Sequence, residues 1–184
     1  MTLTATPGQT VGPFFHYGLA YDGDCVLVPP GSPGSVLLRG QVLDGAGVAV
    51  RDALVEIWQT RPDGSVPRDV GSLRRDGWSF TGFGRACTGQ DGRYVFSTLV
   101  PGAGKPGRPA FFAVTVFARG LSNRLFTRAY LPHDDAALAG DPLLSALPPR
   151  RRATLLASRD ERGFVFDIHL QGANETVFLR YPGQ

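Results

Sequence analysis

Ala110-Phe111-Phe112-Ala113-Val114-Thr115-Val116-Phe117-Ala118-Arg119, then Gly120-Leu121-Ser122-Asn123, then Arg124-Leu125-Phe126-Thr127-Arg128-Ala129-Tyr130-Leu131: two runs rich in β-branched and aromatic residues flank a short Gly/Ser/Asn break. Such runs suit the pleated surface of a sheet and such a break suits chain reversal, so the stretch predicts an antiparallel hairpin. The same pattern recurs on both sides. Residues 53–59 alternate, with Leu54, Glu56 and Trp58 on one face against Val55 and Ile57 on the other. Residues 35–43 form a further strand followed by the turn Asp44-Gly45, and Asp91-Gly92 precedes another at 94–100. Towards the carboxyl end, Phe164, Phe166, Ile168 and Leu170 alternate with Val165, Asp167 and His169. Only residues 135–157 look helical, and Pro142, Pro148 and Pro149 cut them into short pieces. The expectation is an all-β fold: an antiparallel β-sandwich with an extended N-terminal arm and a short helical insertion before the last strands.

Composition points the same way. A chain of 184 residues that is 42% hydrophobic is one domain with enough apolar material for a core. Its 24 Gly and 15 Pro suit turn-punctuated strands better than a helical bundle. Residues 22–35 are dense in Gly and Pro and divide the chain into an arm with linker, 1–34, and the sandwich, 35–184. The arm carries Phe14-Phe15-His16-Tyr17, rings that must pack either on the chain's own sandwich or on a partner. Sequence alone leaves both open.

Several function classes drop out. No stretch approaches the ~18 to 20 consecutive apolar residues of a membrane span. The first nine residues hold neither a basic nor an apolar export region, so a cytoplasmic place is expected. The net charge of +3 is scattered apart from Arg150-Arg151-Arg152, which argues against a nucleic-acid partner. Cys25 and Cys87 are far apart in no Cys-x-x-Cys pattern, and two reduced thiols are expected. His16, His133 and His169 form no His-x-His or His-Glu-x-x-His pair, and the least poor metal candidate is His133 with Asp134 and Asp135. No Gly-x-Ser-x-Gly elbow is present, and the Gly-rich stretch 102–107 lacks the Gly-Lys-Ser/Thr of a phosphate loop. On its residues alone the chain is a sandwich without catalytic machinery.

Three strings change that reading: 52–59 (Asp52-Ala53-Leu54-Val55-Glu56-Ile57-Trp58-Gln59), Phe83-Gly84-Arg85, and 91–102 from Asp91-Gly92 to Pro101-Gly102. With the arm Thr6-Pro7-Gly8-Gln9-Thr10-Val11-Gly12-Pro13-Phe14, the stretch from Ala118-Arg119-Gly120 to Thr127-Arg128-Ala129-Tyr130, and the tail from Phe166 to Phe178, the chain resembles the intradiol ring-cleavage dioxygenases nearly throughout. In that family two tyrosines and two histidines hold one non-haem Fe(III). The resemblance maps the first Tyr to Val66 and the second to Gly104 or its neighbourhood. The His-x-His pair falls within Arg108-Pro109-Ala110-Phe111-Phe112-Ala113. These residue types offer iron no lone pair, so no metal and no catalytic residue are expected on this chain.

The family pairs related sandwiches, a β subunit with iron and a metal-free α subunit, in a hetero-oligomer of αβ protomers. The resemblance implies that this chain is of the α kind and completes the pocket in which its partner opens the ring of a small catecholic acid. Arg128, Gly12, Pro13 and, more weakly, Thr10 would then face substrate. A Gly-Pro step admits a planar ring close to backbone, and an arginine offers positive charge to a carboxylate. The competing expectations are a β-sandwich binding or scaffold module derived from the same family, and a self-sufficient hydrolase or metalloenzyme using His16, His133 and His169.

Overall fold

The computed structural model describes residues 6–68, 71, 73–132 and 135–181. Two sheets face each other. The first has the order β4-β1-β8-β7, from β1 (Ser35–Leu43), β4 (Arg93–Leu99), β7 (Ser158–Asp160) and β8 (Gly163–Val165), and β9 (Ile168–His169) also pairs with β1. The second has the order β3-β2-β5-β6, from β2 (Leu54–Trp58), β3 (Phe83–Cys87), β5 (Phe111–Phe117) and β6 (Leu125–Tyr130). Between them lie Leu38, Val42, Val55, Ile57, Phe96, Phe112, Val114, Val116, Phe164 and Ile168, all essentially sealed from water. These are the residues that alternation assigns to one side of each strand.

The hairpin at 110–131 forms as expected, with Phe111 opposite Tyr130 and Val116 opposite Leu125. The last strands differ from a purely antiparallel sandwich, because β8 and β9 both run parallel to β1. They are also two strands rather than one. Phe166 donates its N–H to the Arg39 carbonyl at 2.8 Å, while the Asp167 carboxylate takes the Gln41 N–H at 2.9 Å, so a side chain replaces the ladder for one step. The crossing needs Gly40, since a Cβ there would sit 1.9 Å from the Phe166 carbonyl oxygen.

Two strands carry little apolar signal. β7 is exposed throughout, a short polar edge strand of the kind that discourages pairing with other chains. β3 contains Gly84 and Arg85, and Gly84 leaves room for Leu27 and Phe96 to close over the strand. The stretch expected as a linker is stitched to the sandwich: Leu27 is buried and donates to the Ser97 carbonyl at 2.8 Å, and Ser97 donates to that of Cys25 at 2.9 Å.

The helical insertion is three short helices, α2 (Asp135–Ala139), α3 (Pro142–Ser145) and α4 (Pro149–Ala153), divided by prolines as expected. Asp141 caps α3, its carboxylate accepting from the Leu143 and Leu144 N–H groups at 3.0 and 3.1 Å, with Pro142 in the first turn. Leu144 and Leu155 bury themselves with Tyr130 and Val177 in a second small core outside the main one. The arginine triplet has a structural task. Arg150 donates to Ala173 O, Arg151 to Glu175 O at 2.6 Å and Arg152 to Leu147 O, which fastens α4 to the segments before and after it.

Candidate functional site

The outer face of the β3-β2-β5-β6 sheet collects the chemistry. Because Val55, Ile57, Phe112, Val114 and Ala129 point into the core, Glu56, Trp58, Phe111, Ala113, Arg128 and Tyr130 fall on the opposite face. Register sets Phe83, Trp58, Ala113 and Arg128 in one row across the four strands. Arg128 and the two positions mapped to metal-binding histidines are thus neighbours: Ala113 lies directly opposite Arg128, and the Arg128 guanidinium stands 4.4 Å from the Phe111 ring centroid.

Arg128 donates to the Tyr130 hydroxyl at 3.0 Å, and the Tyr181 phenol lies close enough to act on its charge. Burial works against its charge, but the two phenols outweigh burial and lift its pKa above the ordinary value. Among the described residues it has no carboxylate within ion-pair reach. Tyr130 is fully buried, and burial pushes its phenol up, against the opposing pull of Arg128.

The arm uses the other side of this face and the hairpin turn. Thr10 Oγ1 accepts the Gly120 N–H at 2.7 Å. The Gly12 carbonyl accepts from Phe15 at 3.2 Å and opens α1 (Phe15–Leu19), a one-turn helix within the expected extended arm. The Phe15 ring lies 6.2 Å from that of Phe117, Cys87 Sγ donates to the His16 carbonyl, and Arg85 donates to that of Leu19 at 2.7 Å. Arg85 is anchored by Glu56, whose Oε1 takes both Nε at 2.9 Å and an Nη at 2.6 Å; each side chain is only 15% exposed. The arm therefore rests on its own sandwich, yet Phe14 and Tyr17 remain 76% and 72% exposed. Gly12 and Pro13 are exposed too, and a Cβ on Gly12 would meet nothing within 4 Å. Thr10 sits on the hairpin turn, whereas Arg128 is held by separate partners farther along β6.

Trp58, Gln59, Thr60, Val66, Gly104 and Phe111 wall a cavity of about 220 Å³ beside this row. Three positions that the family resemblance maps to metal ligands, distant in sequence, converge there. The polar wall groups are already committed: Gln59 Nε2 donates to Leu99 O at 2.9 Å, its Oε1 accepts from Thr98, and Thr60 Oγ1 donates to Gly102 O at 2.6 Å. Valine, glycine, phenylalanine and alanine supply no lone pair to replace them, so the residues present do not fit an iron ion. Arg108, just before this region, donates to the Gly140 carbonyl at 3.2 Å.

Among the described residues the other sequence candidates do not gather into a site. His169 uses its backbone N–H on Thr176 Oγ1, and His133 and Asp134 lie outside the described residues. Among the described residues no three His, Cys, Asp or Glu side chains gather as a metal site. Cys25 and Cys87 are free thiols, and burial first, then Asp24, pushes both pKa values up. No helix of the described chain is long and apolar enough to cross a membrane. Sequence reasoning named Arg128 but passed over the residues that hold it, Tyr130 and, behind it, Asp141. The pair Asp141-Pro142, a capping residue before a first-turn proline, was the signal that could have found the second.

The family model described as Dioxygenase matches residues 10–172. The chain is 41% identical over 195 residues to the protocatechuate 3,4-dioxygenase alpha chain of Burkholderia cepacia, covering 97% of this chain and 98% of that one. It is 34% identical over 160 residues to the corresponding beta chain of Burkholderia cepacia, covering 79% and 68%. Among solved structures, the dioxygenase domain of a carbohydrate-binding fusion from Streptomyces sp. SirexAA-E is similar at a TM-score of 0.55, with 28% identity over 92% of this chain and all of that one.

Proposed function

The chain belongs to the intradiol dioxygenase family, and on that premise we propose that it is the metal-free α subunit of a cytoplasmic protocatechuate 3,4-dioxygenase. The assembled enzyme opens 3,4-dihydroxybenzoate with O2 to 3-carboxy-cis,cis-muconate. Its Fe(III) sits on the β subunit, and this chain completes the pocket. The arm and linker, residues 1–34, pack on that partner while keeping their hold on the chain's own sheet.

The observation that carries this reading is the convergence of Val66, Gly104 and Phe111 on one apolar cavity: the fold keeps the place and lacks the donors. Three features support the assignment of roles. Arg128 is a cation held only by neutral groups, so its charge stays available to the substrate carboxylate, where a charge-assisted hydrogen bond contributes about 1.5–3 kcal/mol. Gly12 is not demanded by its own surroundings, which supports a constraint from outside the chain, a ring or backbone lying against Gly12-Pro13. Thr10 fixes the start of this step on the hairpin turn and takes the outermost place beside substrate.

Iron content and visible absorption test the proposal. The chain produced alone is expected to be colourless and iron-free, and the chain purified with its β subunit to be red-brown with iron. A lone chain that binds one iron and colours would overturn it.

A further inference from the structure

Arg128 has no ion-pair partner among the described residues, yet it is firmly held. Its face lies on the Phe111 ring, and one edge donates to the Tyr130 hydroxyl at 3.0 Å. That hydroxyl donates in turn to Asp141 Oδ1 at 3.3 Å, and the same oxygen caps α3 through Leu143 and Leu144. A continuous line of hydrogen bonds thus runs from the helical insertion through a fully buried phenol to an outward-facing cation. We propose that Tyr130, backed by Asp141, is a positioning residue of the ring-opening reaction: its hydroxyl sets where the Arg128 charge meets the substrate carboxylate.

The inference rests on the role given to Arg128 above. A carboxylate in the place of Tyr130 would hold the guanidinium and also cancel its charge, as Glu56 does for Arg85. A neutral phenol holds without cancelling. A guanidinium carries its donors in a rigid plane, so stacking one face on Phe111 and fixing one edge on Tyr130 leaves a single direction for the remaining donors. Without the hydroxyl the plane turns about the stack, and the incoming anion must order it.

The test uses the assembled αβ enzyme and compares 3,4-dihydroxybenzoate with catechol. Tyr130→Phe keeps the ring in its small core, and Asp141 keeps both capping hydrogen bonds. The expected result is a KM for the carboxylated substrate raised about five-fold, with kcat and the KM for catechol within about two-fold of the parent. Asp141→Asn, which retains an acceptor, shifts the same KM ratio by about two-fold. Arg128→Ala gives the larger selective rise, and Tyr130→Phe adds nothing on top of it, because the phenol acts through the arginine. If Arg128→Ala is selective and neither Tyr130→Phe nor Asp141→Asn moves the ratio, the positioning role is overturned and the α-subunit reading stands. Equal KM increases for both substrates in Tyr130→Phe make the hydroxyl structural and overturn it as well. If Arg128→Ala itself shows no selectivity, the role of Arg128 fails first and takes the inference with it.

Discussion

Arg85 and Arg128 stand on the same face of the same sheet at its opposite edges, one on β3 and one on β6. The first is spent inside the fold: Glu56 takes two of its donors and the Leu19 carbonyl a third. The second is held by an aromatic ring and a phenol and keeps its charge. Identical side chains thus divide labour by the company they keep. A cation closed off by a carboxylate builds the scaffold, and one steadied by neutral groups can address a ligand.

The largest effect should separate the two edges by stability. Arg85→Ala strands a nearly buried Glu56 and frees the end of the arm, which is expected to cost about 3 kcal/mol, read as a lower urea midpoint. Arg128→Ala leaves Tyr130 bonded to Asp141 and is expected to cost less than about 1 kcal/mol in the same measurement. Equal losses would erase the division. A smaller effect sharpens the place of the arm: Gly12→Ala should leave the unfolding of the chain unchanged within about 0.5 kcal/mol. In the assembled enzyme it should raise substrate KM about five-fold, near 1 kcal/mol. Unchanged kinetics would place Gly12-Pro13 away from substrate.

The smallest expected effect is none. Burial raises the Tyr130 pKa above that of a free phenol, so the protonated bridge is fully present below the unfolded value and is lost only as pH rises through the folded one. Between about pH 7 and 8, below the titration of the catechol hydroxyls themselves, the ratio of KM values for 3,4-dihydroxybenzoate and catechol should therefore stay flat. A drift of that ratio within this window would assign the control of Arg128 to some other titrating group.

What the sequence disclosed follows the range of the forces. β1, β2, β4, β5 and β6 are legible within a residue or two, because alternation and the turns beside them are local. β3 is not, since Gly84 and Arg85 serve neighbours on Leu27, Phe96 and Glu56 that no window of sequence contains. The division of β8 from β9 is set by Gly40, far away on β1, and parallel pairing has no signature within a strand. The aromatic run in the arm left two destinations open, and the structure uses Phe15 for its own sheet while leaving Phe14 and Tyr17 in water. Arg128 was named through family resemblance. Its supports were hidden because a tyrosine closing a strand and an aspartate opening a helix each look like ordinary boundary residues.

β1 carries a consequence for how the chain is made. It is the strand against which β4, β8 and β9 all pair, and its contact between Gln41 and Asp167 spans 126 residues. During synthesis the second sheet can assemble as soon as β6 emerges, but one flank of β1 must wait for residues 163–169. That open flank is a template for the wrong partner, and the closing step draws on long-range loops that are slow to form. Completion of the first sheet therefore waits on β8 and β9: ending the chain before Gly163 removes the parallel strands on which that sheet depends.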